Sequence, residues 1–202
     1  MLEAPQAGIG PKGQQMSARD VASRALAALR AAGVPIGDGL TAAEIEAIEQ
    51  HHAFGFNPDH RALLSHGVPL GPRWVDWRCD DPDRIAERLL TPIRGVLFDV
   101  EHNGFWAADW GPRPVGRAAL SVAARALERV PRLIPVYGHR FAPAAPAPSG
   151  SPILSVVQTD VVEYGHDLGD YVAREFRLPS TASRAVEDPG YRVPFWSDLI
   201  SP

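Results

Sequence analysis

Helix signals crowd the first two thirds of the chain, and strand-like runs then follow one another closely between residues 133 and 164. That order does not fit the strict alternation of strand and helix that builds parallel sheets. It predicts an α+β fold, with helices packed against a mainly antiparallel sheet. The first helix is signalled by Ser17 with Asp20 three residues later; Val21, Ala25, Leu26 and Leu29 share one face, and Gly33 ends it. Thr41 to Glu44 reads as a capping box, with Leu40 placed to staple onto Ile45 and Ile48 continuing the stripe. Asn57-Pro58 opens a third helix that carries Leu63 and Leu64 and stops at Gly67. Asp81-Pro82 opens a fourth, with Ile85, Leu89 and Leu90.

Arg73 to Arg78 alternates with period two and is expected to be a strand with Trp74 and Trp77 on one side. The apolar run Gly95 to Val100 suits a strand or a buried helix equally. Glu101 to Pro112 packs turn residues, two tryptophans and charges into an expected loop. A longer helix is predicted from about Val115 to Val130, stopped by Pro131. Leu133–Tyr137, Ile153–Val157 and Val161–Tyr164 are the predicted strands, with a Pro/Ala-rich surface loop from Ala142 to Gly150. Asp167 caps a last helix through Phe176, and Phe195-Trp196 forms an aromatic cluster near the end. Residues 1–16 are expected to be a mobile tail, 17–39 an extra helix and linker, and 40–199 a single α+β domain.

At 202 residues, with 45% hydrophobic and 22% charged residues, such a domain buries enough surface to need no disulfide or metal staple. Cys79 is the only cysteine and can form no internal disulfide, which fits a reducing compartment and a cytoplasmic location. No stretch approaches the roughly 20 apolar residues of a membrane span, and no basic-then-apolar secretory signal opens the chain. The net charge of −4 is spread without blocks, so nucleic-acid binding has no electrostatic footprint. Lys12 is the lone lysine among 20 cations, and arginine abundance is therefore no argument for phosphate recognition. Gly8-Ile9-Gly10 lacks the preceding strand of a dinucleotide fingerprint.

For catalysis the sequence offers Cys79 without a recognisable nucleophile motif, and a small buried or half-buried thiol is the expectation. Asp99 and Glu101, two apart, would share a face on a strand with His102 opposite. With His139, Asp160 and His166 they could assemble a metal or acid/base site, the basis of an alternative reading as a metal-dependent hydrolase using Asp99, Glu101, His102 and His139. No spacing matches an established ligand pattern, and adjacent His51 and His52 diverge on a helix. The expectation is therefore solvated carboxylates, hydrogen-bonded loop histidines, and no cofactor or catalytic set. The tryptophans, Trp74, Trp77, Trp106, Trp110 and Trp196, are large anchors. Those in or beside loops suit a binding surface.

A resemblance runs through most of the chain. Leu40-Thr41-x-x-Glu44-Ile45, Phe54-Gly55-Phe56-Asn57-Pro58-Asp59-x-Arg61-Ala62-Leu63-Leu64 and Trp74-x-Asp76-Trp77-Arg78 are followed by Gly95 to Trp106 and Trp110-Gly111-x-Arg113-Pro114. Pro135 to Phe141 with Pro143, Gln158-Thr159-Asp160, Tyr164-Gly165-x-Asp167-Leu168-x-Asp170-Tyr171 and Pro194-Phe195-Trp196 complete the series. Together these segments resemble an SMI/KNR-type domain of the SUKH superfamily. The helix before Gly39 has no counterpart in it, and Asn57 stands where the family more often has proline. The resemblance implies helices on an antiparallel sheet and recognition without catalysis. Many bacterial members are immunity proteins that bind a polymorphic toxin, often a nuclease; fungal relatives act as partner-binding regulators. A regulatory scaffold with no toxin is thus the second expectation. The candidate partner-binding residues are Asp99, Glu101, Trp106, Asp109, Trp110, His139, Arg140, Asp160 and Tyr164. An acidic face of Asp99, Glu101, Asp109 and Asp160 would suit a basic toxin.

Overall fold

Among the described residues, five of the six α-helices begin on the caps that the sequence signals. In the computed structural model, which describes residues 16–179 and 190–200, Ser17 Oγ accepts the Asp20 amide at 3.3 Å at the head of α1 (Ala18–Ala31). The capping box of α2 (Ala42–His52) is complete: Thr41 Oγ1 accepts the Glu44 amide at 3.2 Å, and Glu44 Oε2 accepts the Thr41 amide at 2.7 Å. Asn57, Asp81 and Asp167 cap α3 (Pro58–His66), α4 (Pro82–His102) and α6 (Leu168–Glu175) in the same way. Only α5 (Arg117–Leu127) lacks a side-chain cap; it starts after Gly116 at a φ of 62°, which a glycine adopts freely.

The apolar run from Gly95 is helix, because it continues α4. Ile85, Pro92, Val96, Asp99 and Val100 are all buried, and the half-buried Leu89 falls between them at spacings of three and four. That stripe passes through Pro92, a residue that ordinarily ends a helix. Arg73 to Arg78, by contrast, is no strand. Trp74 makes one isolated bridge to Tyr137, and the chain then turns, with Asp76 Oδ1 accepting the amides of Arg78 and Cys79, each at 3.1 Å. Both tryptophans are buried, but in different clusters: Trp74 with Leu29 and Tyr171, Trp77 with Phe56 and Ile85.

β1 (Ile36–Gly37) and β2 (Val68–Pro69) form a small antiparallel pair. The main sheet is an antiparallel meander of β3 (Leu133–Tyr137), β4 (Arg140–Pro143), β5 (Ile153–Val157) and β6 (Asp160–Gly165), in that spatial order. Strand β4 occupies the start of the expected Ala142–Gly150 loop. Its register places Phe141 opposite Pro135 on one side and Leu154 on the other.

Helices cover both faces. Val136, Ala142 and Ile153 pack with α1, α3 and α6, while Leu133, Phe141, Leu154, Val156 and Val161 pack with Val96, Leu127 and the C-terminal Val193 and Trp196. The α1 residues Val21, Ala25 and Leu29 are fully buried there, so the helix before residue 40 is integral to the core. Two close approaches fix the layers. A Cβ on Gly165 would lie 2.5 Å from Tyr171 Cα, and one on Gly95 would lie 2.8 Å from Gln158 Cα. Among the described residues no helix is long and apolar enough to cross a membrane. The expected tail at 1–16 lies, apart from Met16, outside the described residues.

Candidate binding groove

Beyond α4 the chain turns at Gly104, φ 75°, and the turn is tied back to the helix end by Arg113, whose guanidinium donates to Gly104 O at 2.9 Å and Val100 O at 2.7 Å. This cation answers the free carbonyls and negative dipole end of α4. Trp106 and Trp110 lie in the loop so anchored. Trp106 Nε1 donates to Gly111 O at 2.7 Å, and its ring meets Trp110 edge-on at a centroid distance of 5.2 Å. Phe105 approaches Trp110 at 5.8 Å in the same manner, and Phe195 stacks on Trp110 at 5.9 Å with planes 10° apart. Phe195 holds a left-handed φ of 69°, uncommon for a bulky residue and a sign of local strain.

These rings form one wall of a groove of about 1010 Å³. Val122, Arg125 and Ala126 of α5 form the other, Val122 lying three and four residues before the other two on one helix face, and Arg129 joins them from the turn after the helix. Asp109 and Asp198 also line it, and Asp198 pairs with Arg192 at 2.6 Å. The C-terminal wall is pinned from below by Trp196, fully buried, whose Nε1 donates to Pro131 O at 2.8 Å.

The structure brings only three of the candidate residues, Trp106, Asp109 and Trp110, into this groove. Asp99 is corrected outright. On α4, residues two apart diverge by about 200° instead of sharing a face, so Asp99 is buried while Glu101 is exposed. The Asp99 carboxylate clasps the β5–β6 turn, accepting Thr159 N at 2.9 Å and Thr159 Oγ1 at 2.6 Å, with Asn103 Nδ2 at 2.5 Å. Burial pushes its pKa up, but the bonds from the Thr159 hydroxyl, Asn103 and the Thr159 amide outweigh this and hold it below the usual value.

Arg140 is corrected too, since it is buried and committed inside the fold. Its guanidinium pairs with Glu175 at 3.2 Å, donates to Ser155 Oγ at 2.9 Å and lies 3.8 Å over the half-buried Tyr164 ring. His139 is half-buried in the β3–β4 turn, and burial, with Arg140 and Arg73 nearby, lowers its pKa. Glu101 lines a neighbouring hollow of about 290 Å³ with Arg113 and Arg117, whereas Asp160 is exposed at the start of β6. The four-carboxylate acidic face is therefore not assembled.

His102 stacks on Phe98 at 4.3 Å, and among the described residues no group of three or more His, Cys, Asp or Glu is placed to hold a metal ion. Cys79 is exposed, not half-buried. Sequence reasoning missed Val122, Arg125, Arg129 and Phe195 as groove residues. The spacing of Val122 and Arg125 on one helix face was the available signal, while Arg129 lies in the turn beyond the helix. Comparisons with protein-family models, curated proteins and solved structures each give no match. The fold and site define an α+β domain that presents an aromatic groove beside an arginine-bearing helix.

Proposed function

We propose that this chain is a protein-binding module of the SUKH type, acting in the cytoplasm as an immunity protein that docks a toxin domain, such as a nuclease, against the Trp106–Trp110–Phe195 groove. The observation that carries this reading is the groove itself. Three large aromatic rings, half-buried and in contact edge-on or stacked, line an opening with arginines at its edge, the residue types that dominate protein-binding hot spots. The ordered segments from Leu40 to Leu199 support the SUKH assignment, and helices on an antiparallel sheet accord with it. The hydrolase reading gains no support from the geometry, because both Asp99 oxygens are already engaged.

The test is co-expression with the toxin domain of a neighbouring gene. The wild-type chain restores growth and forms a complex with the toxin that survives gel filtration, while Trp106→Ala with Trp110→Ala loses both and keeps its fold by circular dichroism. Equal rescue by the double variant would refute the groove. A stable complex with a non-toxic regulator alone would point to the scaffold role.

A further inference from the structure

The charge of the groove walls narrows what they can receive. Arg125, on the last turn of α5, and Arg129, in the turn that follows it, both line the groove, both are exposed, and neither makes an ion pair among the described residues. The one carboxylate of that segment, Glu128, lines a different cleft, between α5 and α4. From 113 to 132 the chain has five arginines against that single acid, in a protein whose net charge is −4. Of the two carboxylates in the groove, Asp198 is already paired with Arg192, which leaves Asp109 facing two uncompensated guanidinium groups. The excess is positive, above an aromatic floor.

Resting on the groove as the docking site, we infer that its occupant is an acidic–aromatic segment of a partner protein: apolar or aromatic side chains on Trp106, Trp110 and Phe195, and carboxylates against Arg125 and Arg129. Guanidinium forks match carboxylates in a bidentate manner, and the surrounding rings exclude water from the pairs. Single-stranded nucleic acid would also offer negative charge and rings, but the protein as a whole carries a net charge of −4, so a peptide is favoured. This reverses the expectation of an acidic surface for a basic partner at this site.

The experiment uses a fluorescein-labelled random copolymer of glutamate and tyrosine, followed by anisotropy and tryptophan quenching. A lysine–tyrosine copolymer and an oligothymidylate serve as comparators. The wild-type chain binds the acidic copolymer, binding weakens with added salt, and Arg125→Ala with Arg129→Ala weakens it about tenfold without shifting the melting temperature. Arg125→Lys with Arg129→Lys retains part of the loss. Equal or tighter binding of the basic copolymer or of the oligothymidylate, no binding of the acidic one, or indifference to the double alanine variant would each overturn the inference. If toxin rescue depends on Trp106 and Trp110 but Arg125→Glu with Arg129→Glu still rescues fully, the acidic segment is refuted while the immunity reading stands. If the copolymer result holds but no toxin is neutralised, the reverse is true.

Discussion

Gly95→Ala separates what local propensity says from what the packing says. In the interior of a helix, replacing glycine by alanine ordinarily adds about 1 kcal/mol of stability, and Gly95 lies well inside the 21-residue α4. Against this, the new methyl would meet Gln158 Cα at 2.8 Å and Gln158 N at 3.1 Å, which is backbone and cannot rotate away. The turn has little freedom to retreat. Gln158 already holds a left-handed φ of 57°, and the next residue, Thr159, is clasped by Asp99 through both its amide and its hydroxyl. Overpacking costs about 1–3 kcal/mol, and a clash with held backbone belongs in the upper part of that range, about 2–3 kcal/mol, so after the propensity gain the clash wins by about 1–2 kcal/mol and the melting temperature falls by about 2–8 °C for a chain of this size. Thermal and urea denaturation measure it directly. In an Asp99→Ala background the turn is released, and the added cost of the methyl should shrink. A Gly95→Ala variant that melts at or above the wild-type temperature would refute the close approach of α4 to the β5–β6 turn.

Asp99→Ala alone leaves the Thr159 donors without their acceptor and should cost about 2–3 kcal/mol at neutral pH. Because the folded carboxyl is held below the ordinary aspartate value, the charge-dependent part of this contribution is present above about pH 4 and is lost as pH falls through the folded pKa. Urea midpoints against pH should therefore show wild type and variant converging in acid. Burial alone drives the His60 imidazole down to about 3, and its Nδ1 has no hydrogen-bond partner. The unfolded chain takes up a proton there at about 6.5 while the folded one does not until about 3, so each pH unit of acidification between the two values lowers stability by up to about 1.4 kcal/mol. His60→Leu should flatten that slope; an unchanged slope would contradict the buried neutral ring. Glu44, hydrogen-bonded by Arg78 and by the Thr41 amide and hydroxyl, titrates at about 2, and Arg78→Ala should move its carboxyl carbon titration in NMR up toward the ordinary value. The exposed Cys79 should react with Ellman's reagent in the native protein without denaturant.

Helix starts were legible because a cap is local chemistry: a side-chain oxygen three residues before the amide it accepts, as at Ser17, Thr41, Asn57 and Asp167. What defeated the sequence was information held elsewhere in the fold. The alternation of Trp74 and Trp77 imitates a strand because each ring is buried, yet they enter separate clusters across a turn. Strand β4 has all four residues buried, between helices on both faces, and so lacks the period-two pattern that marks a half-exposed strand. Pro92 hid the continuity of α4. Its stripe from Ile85 to Val100 shows only when the proline is counted as one of the buried positions. With strand and helix left open there, the place of Asp99 stayed open too: a strand would have put it on one face with Glu101, and the helix turns it inward.

The groove was half-legible for a related reason. Trp106 and Trp110 stand in one loop, so their proximity needs no long-range knowledge, but the surfaces that complete the site come from α5 and from residues 194–199. With helices over both faces, the sheet itself offers no broad recognition surface, and binding falls to places where peripheral elements do not close on one another. Here the tryptophan loop is held by Arg113 on the end of α4 and by Trp106 on Gly111, and the C-terminal wall by Trp196 on Pro131. A site held open in this way gives up little conformational entropy when it is filled, so its contacts count more fully toward affinity than those of a floppy loop. The strained backbone of Phe195, kept at φ 69° with its ring flat on Trp110, belongs to that preorganisation, because a relaxed phenylalanine would let the ring leave the floor of the groove.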